Sequence, residues 1–413
     1  MVAALFLAAF TSCKDDKDDE ATPTPEEETQ TLSGEVSGTW TSGKTYMVSG
    51  DLVVPAGKSL TIEEGVTVVI DTTAKPEFIV LGNLYCTGTA ASPVMITVPE
   101  GARTEKNKFG ALWGGILAAP TCSELVLDNV ILEYGGATTT EASASVKQGL
   151  YKAESGERLP ALWFSNVNGK FVVQNSIVRN FQEDAFYIEG GQSIVANNKF
   201  YTTGLTNGEA INYKSGTQAD VAFNLIYSPN TNGLKLSNSG DRTPQAYIIA
   251  YNNTIVNAGW RRPDIKGGSI WIEKSVHADL YNNLIANSRF GIKRDTKNAE
   301  DNRSKISNTF YYGYTQQGVD QFQSSAEVVA GTNDVTTATA GGNDPKFVSY
   351  PLSTAGDNAT FSTNWDFHLS ADSPALNKGT TDFSRHFANG LIINGKTYNS
   401  PAPATYIGAM GTK

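Results

Sequence analysis

The chain has 413 residues, with 42 acidic against 32 basic side chains, a net charge of −10, and 39 glycines. An acidic balance without a basic stripe excludes a nucleic-acid surface, and no apolar run approaches the ~20 residues that a membrane-spanning helix needs. Cys13, Cys86 and Cys122 lack CxxC spacing, and with only His277, His368 and His386 beside them they form no recognisable zinc motif, so no metal and no cofactor is expected.

The chain opens on an apolar run, Met1 to Phe10, that ends at Thr11-Ser12-Cys13 and passes straight into Lys14-Asp15-Asp16-Lys17-Asp18-Asp19-Glu20. This is the form of the back half of a secretory signal, and the missing basic n-region fits a true start further upstream. Phe10-Thr11-Ser12-Cys13 resembles a bacterial lipobox, which implies that 1–13 is a lipoprotein signal ending at a lipidated Cys13. The acidic run behind it resembles the export signal that places Bacteroidetes lipoproteins on the outer leaflet of the outer membrane. A protein anchored there by lipid and facing the cell exterior is therefore expected; the plain alternative is a solvated acidic linker. Residues 14–33 hold eight carboxylates, two lysines and repeated Thr-Pro, the composition of a disordered tether.

The body repeats itself. An asparagine, one variable residue and then Ile or Phe recur at Asn129-Val130-Ile131, Asn175-Ser176-Ile177, Asn198-Lys199-Phe200, Asn224-Leu225-Ile226, Asn253-Thr254-Ile255, Asn283-Leu284-Ile285 and Asn308-Thr309-Phe310. These asparagines lie 46, 23, 26, 29, 30 and 25 residues apart, and a period in the twenties with loop-like excesses marks one unit stacked on itself. Each asparagine is expected to serve twice, taking a left-handed conformation at a bend and laddering its amide with the copy one coil away.

A second element, small-apolar-variable-apolar, precedes the first at a nearly fixed distance and begins at Gly115, Ala161, Ala185, Ala210, Gly233, Ser269 and Gly291. Two short alternating strands joined by a turn, repeated at one spacing, describe the coil of a β-solenoid. The fold expected is all-β, a single-stranded right-handed parallel β-helix over residues 34–314. Residues 34–50 cap its first coil, and 315–413 form a loop-rich C-terminal cap of the same domain, because bare stack ends would expose unpaired strand edges. Cys86 and Cys122 are expected as buried apolar residues, with a disulfide open to them if their Cβ atoms meet.

Gly50-Asp51-Leu52-Val53-Val54-Pro55-Ala56-Gly57, Gly82-Asn83-Leu84, Pro93-Val94-Met95-Ile96-Thr97 and, near the end, Asp344-Pro345-Lys346-Phe347, Ser373-Pro374-Ala375-Leu376 and Ile407-Gly408-Ala409 carry a resemblance. Over about residues 45–410 the sequence resembles the right-handed β-helix, pectate-lyase-like superfamily in the form found in Bacteroidetes surface lipoproteins. The resemblance implies the fold; one solenoid hosts many functions, so it is weak on activity.

In the second element the variable residue points outward, which stacks Leu117, Trp163, Tyr187, Asn212, Lys235, Trp271 and Lys293 in a column at about 4.8 Å per coil. Two residues later a parallel column reads Ala119, Ser165, Glu189, Lys214, Ser237, Glu273 and Asp295. Aromatic faces stack on the C–H face of a pyranose while amides, ammonium and carboxylate groups meet its hydroxyls. Trp163, Tyr187, Asn212, Lys214, Lys235, Trp271, Glu273 and Lys293, with Trp260 and Arg261 from an inserted loop, are therefore candidate carbohydrate-binding residues. Insertions at 135–160 and 256–268 are placed to wall this face. If those loops instead cover the rings, the aromatics are packing.

Three readings follow. The first is a cell-surface module that binds a polysaccharide or cell-surface glycan without catalysis, monomeric and touching the membrane only through its lipid. The second is a polysaccharide lyase acting by β-elimination on an anionic glycan, which needs a base and a cation such as Ca²⁺ or Lys/Arg. Against it, Glu189 and Glu273 lie three coils apart, roughly 14 Å, too far for one calcium ion. The Asp-Asp and Gly-His-Gly signatures of the polygalacturonase branch are absent, and apart from Glu273 and Asp295 at the end of the second, neither column puts carboxylates in adjacent coils. The third is a structural or adhesive surface protein.

Overall fold

Apart from the ten-residue Thr45–Val54, strands of three to six residues, rich in β-branched and aromatic side chains, alternate with tight turns from the first described residues onward. A computed structural model describes residues 30–413 except 263, 265 and 266; Cys13 and the acidic run behind it lie outside the described residues. Each coil contributes three strands. Ser59–Glu63, Thr67–Ile70 and Phe78–Val80 make up one coil, and Asn83–Thr87, Val94–Thr97 and Ile116–Ala118 the next. Each strand pairs in parallel with its counterpart one coil on. The result is a parallel β-solenoid with three sheets, here called first, second and third in the order the coil visits them. The first has ten strands. The second and third share the long strand Thr45–Val54, which pairs with Thr67–Ile70 through its front half and Phe78–Val80 through its back half.

Inward residues stack on like residues. In the first sheet Ile62, Cys86, Leu127, Val173, Val195, Val221, Ala250 and Leu280 stand in register, and all are essentially inaccessible to solvent. In the third, Ile116, Leu162, Phe186, Ile211, Leu234, Ile270 and Ile292 do the same. Each large side chain so buried contributes about 1.5–3 kcal/mol, and no single coil could bury its own. The small residue that opens each third-sheet strand is sterically required: a Cβ on Gly115 would lie 1.9 Å from the Pro160 carbonyl oxygen. Cys86 and Cys122 are both buried and unpaired, and burial pushes both thiols up.

The bend between the first and second sheets divides between two adjacent residues the work that the sequence reading gave to one. Asn129, Asn175, Asn197, Phe223, Asn252, Asn282 and Asn308 take the left-handed conformation, with φ between 50° and 58°. The residue after each is buried, and from Ser176 to Asn283 these residues form the ladder. Asn198 Oδ1 accepts from Ser176 N, and Asn224, Asn253 and Asn283 Oδ1 each accept from the backbone N–H and the amide of the asparagine one coil earlier, at 2.9–3.1 Å. Asn175 therefore stands beside the ladder and Ser176 in it. The strand register agrees, pairing Ile177 with Lys199 rather than Phe200.

Both ends depart from the expected boundaries. Gln30–Glu35 is already a strand paired with the front of the solenoid, so 30–33 belong to the first coil, where that edge supplies their hydrogen bonds. At the other end 315–335 closes the stack through Phe322, which packs on Tyr311, and Val328, bridged to Lys293. The remainder is a lateral wrap rather than an end cap. Phe347, Tyr350, Phe367, Leu369 and Ile407 cover the outer face of the second sheet at Tyr201, Tyr227, Val256 and Phe310. Phe383, Phe387, Leu391, Ile393 and Tyr398 cover the first sheet at Val126, Val172, Ile194 and Tyr281. Among the described residues no helix is long and apolar enough to cross a membrane.

Candidate functional site

Because the C-terminal segment covers two sheets, the third is the face left to the two insertions. Its outward column is in register as read from the sequence: Leu117, Trp163, Tyr187, Asn212, Lys235, Trp271 and Lys293 pair in that order. The middle of the column floors a groove of ≈ 380 Å³ that contains Tyr187, Asn212, Lys214, Lys235, Trp271 and Glu273. Tyr151 and Lys152 of the first insertion and Arg262 of the second wall it. The first insertion is pinned by the buried Glu77, whose carboxylate accepts from the Ser145 N–H at 2.7 Å and its hydroxyl at 3.0 Å.

The other four candidates lie elsewhere, each for a physical reason. Trp163 is 3% exposed, roofed by Leu150 and Leu159 of the insertion and fixed by its Nε1, which donates to Glu189 at 2.7 Å. Trp260 turns away from the sheet, lies against Gly356 and donates to the Asn287 carbonyl. Arg261 is a tie between coils. It donates to the carbonyls of Thr203, Gly204 and Ser228, and burial lowers its pKa to about 10. Lys293 is held by Glu327 at 2.8 Å and lies over the Phe290 ring, under the end cap. Even inside the groove the rings are not free platforms: Trp271 is 4% exposed, with Nε1 donating to Glu273, and Tyr187 meets the edge of Tyr151 at 5.4 Å. The exposed aromatic platform expected from the sequence is thus replaced by a narrow polar groove with aromatic edges.

The groove also holds carboxylates that neither outward column contains. Asp184, Glu209 and Asn232 each directly precede the small residue of their coil, and backbone bonds from Ala185 N to Glu209 O and from Ala210 N to Asn232 O stack them. Glu183 stands next to Asp184. The signal was present in the repeat, at the position before the small residue, where Gly114, Pro160, Asp184, Glu209, Asn232, Gly268 and Phe290 follow one another. Carboxylates do therefore occupy adjacent coils, which corrects the sequence reading. Asp184 Oδ1 accepts from Glu209 N–H at 2.8 Å and its Oδ2 from Asn212 Nδ2 at 3.0 Å. Glu209 Oε1 accepts from Asn232 Nδ2 at 3.3 Å and stands 3.9 Å from Lys235 Nζ.

Their protonation differs. Burial, then the charge of Glu209, pushes Glu183 up to about 7. Burial and the charges of Glu209 and Glu183 raise Asp184 well above the usual carboxylate range. Burial would raise Glu209 too, but the Lys235 ammonium, a hydrogen bond from Asp184 and the Lys214 charge outweigh it and hold Glu209 below its ordinary value. Below about pH 7 the cluster thus stores protons beside an ionised Glu209. With Glu183 and Asp184 neutral, Lys152, Lys214, Lys235 and Arg262 outnumber the remaining carboxylates Glu209 and Glu273, so the groove is net positive inside an acidic protein. Asn212 and Thr231, 4% and 2% exposed, are among its lining residues, and their Oδ1 and Oγ1 are buried without a hydrogen-bond partner. A buried acceptor left open costs about 1–3 kcal/mol. Among the described residues no three His, Cys, Asp or Glu side chains converge as metal ligands.

A three-sheet parallel solenoid grooved along its third sheet is consistent with the right-handed β-helix. The model of the pectate-lyase-like beta helix domain family matches residues 32–344, and the chain belongs to that family. No curated protein matches it.

Proposed function

We propose that the protein binds a carbohydrate chain carrying acidic groups in the third-sheet groove. The observation that carries this reading is the groove's lining: a net excess of cations, two unpartnered buried acceptors and the edges of Tyr187 and Trp271, on the face that the chain's own C-terminal segment leaves open. Carboxylate or sulfate groups meet Lys214 and Lys235, hydroxyls meet the amides and carboxylates of the groove, and the ring edges pack on C–H groups. Family membership supports a carbohydrate-related role. Titration calorimetry against neutral and acidic polysaccharides checks it: acidic chains are expected to bind, more weakly as salt screens the lysines, and Lys235→Gln should weaken binding about tenfold, the loss of about 1.4 kcal/mol for a charge-assisted hydrogen bond. Lys235→Gln binding as well as the parent would remove the groove from consideration.

We also propose that Cys13 carries the lipid and that the solenoid stands outside the cell, supported by the lipobox-like run and the acidic tract behind it. Protease added to intact cells should then remove the protein, and survival of the full-length chain would argue against surface exposure.

A further inference from the structure

The groove's carboxylates are costly to keep. Burying three carboxyl groups together, with the nearest ammonium 3.9 Å away, is unfavourable compared with neutral side chains, and a solenoid turn needs none of them, since the equivalent positions one coil before and two after are Pro160 and Gly268. Resting on the glycan reading above, we propose that Glu183, Asp184 and Glu209 form an acid–base centre that hydrolyses a glycosidic bond of the chain held in the groove. Glycosidic cleavage needs one carboxyl that brings a proton to the leaving oxygen and one carboxylate that activates water. Here both stand in adjacent coils of one cavity, roofed by Tyr151, with Asn212 Oδ1 and Thr231 Oγ1 buried and unpartnered among its lining residues. A split between neighbouring carboxyls assigns the roles. Glu183, up to about 7, is the acid. Glu209, kept ionised by Lys235 and Lys214, is the base.

In the step, the Glu183 proton passes to the glycosidic oxygen as the C1–O bond breaks and its electron pair stays on that oxygen. A water oxygen bonds to C1 while one of its protons goes to Glu209. One water is consumed, a hemiacetal and an alcohol are formed, and the proton on Glu209 returns to Glu183 through solvent. Asp184, bonded to the Glu209 backbone and to Asn212, is a positioning residue that holds base and sugar-facing amide together.

The full chain is incubated with polygalacturonate, alginate, hyaluronate, chondroitin sulfate and neutral xylan while binding, new reducing ends and the absorbance of unsaturated products are followed in parallel. The expected result is release of reducing ends from a bound polymer without the absorbance rise, with a rate that falls above about pH 7 as Glu183 loses its proton. Glu183→Gln and Glu209→Gln should each lower the rate about 10²–10⁴-fold while the polymer still binds. Asp184→Asn should change the pH profile and lower kcat more than it changes KM. Folding does not confound the first variant. The folded state binds the Glu183 proton more tightly than the unfolded chain, so the ionised side chain loses stability as pH rises toward 7, and Glu183→Gln should melt no lower than the parent at pH 8. A polymer that binds without yielding reducing ends overturns the hydrolysis and leaves the binding reading standing. Unsaturated products overturn it in favour of elimination, fully active glutamine variants overturn the assignment of these residues, and failure to bind every polymer overturns both readings.

Discussion

Replacing Asn224 by Leu is expected to lower stability by about 2–4 kcal/mol, measured as the shift in the denaturant midpoint at constant slope. The side chain is fully buried, and Leu has the same branched set of four heavy atoms and is larger, so no cavity is left. The loss is in partners. Asn224 Oδ1 accepts from both the N–H and the amide of Asn198, and its Nδ2 donates to Val195 O and Asn253 Oδ1 at 2.9 Å. Leu strands the Asn198 N–H away from water, at about 1–3 kcal/mol, and removes one bond each from Val195 O, from Asn198 Nδ2, which keeps Val173 O, and from Asn253 Oδ1, which keeps the backbone N–H of residue 224. The neighbouring job is separable: Asn175 is exposed and left-handed, with φ 54°, so Asn175→Gly should stay within ~0.5 kcal/mol. If Asn224→Leu costs no more than Asn175→Gly, the ladder contributes nothing.

The same pair of residues shows how far the sequence could be read. Periodicity exposed the coil, the two recurring strands and the outward column, because stacking forces equivalent residues to recur at the coil spacing. Which of two adjacent residues bends and which ladders was hidden, since Asn197-Asn198, Asn252-Asn253 and Asn282-Asn283 fill both positions with the same residue. The unlike pairs Asn175-Ser176 and Phe223-Asn224 were the clue to the division. The carboxylates were missed for a different reason. Alternation identifies residues on strands, whereas Asp184 and Glu209 sit on the turn before one, aimed into the groove by the same backbone stacking that aligns the strands.

The wrap was also illegible locally. Phe383, Phe387, Leu391 and Ile393 have no period, and nothing near them in the chain names Tyr251, Ile194 or Val172 as their partners. Its consequence for function is large, since covering the first and second sheets leaves the third as the face on which a polymer running along the stack can lie. The buried Asp220 anchors that wrap on the first sheet, accepting from His386 N, Phe387 N and the Ser400 hydroxyl.

Trp163→Ala is expected to cost about 3–5 kcal/mol and to weaken glycan binding, although the ring does not line the groove. Read from sequence, this ring belonged either to an exposed sugar platform or to packing; at 3% exposed, against Ile79, Leu117, Leu150 and Leu159, it is packing. It also supports the groove wall. Tyr151 meets Trp163 at 6.1 Å and 73° and Tyr187 at 5.4 Å and 90°, so the insertion's aromatic roof rests on the indole on one side and on the groove floor on the other. Deleting the indole opens a cavity under Tyr151 and frees Glu189 from its 2.7 Å bond, leaving that carboxylate to Arg242. Both effects are read on one variant, by denaturant titration and by calorimetry with an acidic polysaccharide. Lost stability with unchanged affinity would show that the roof holds its place without Trp163, and unchanged stability would return the ring to the surface and restore the platform.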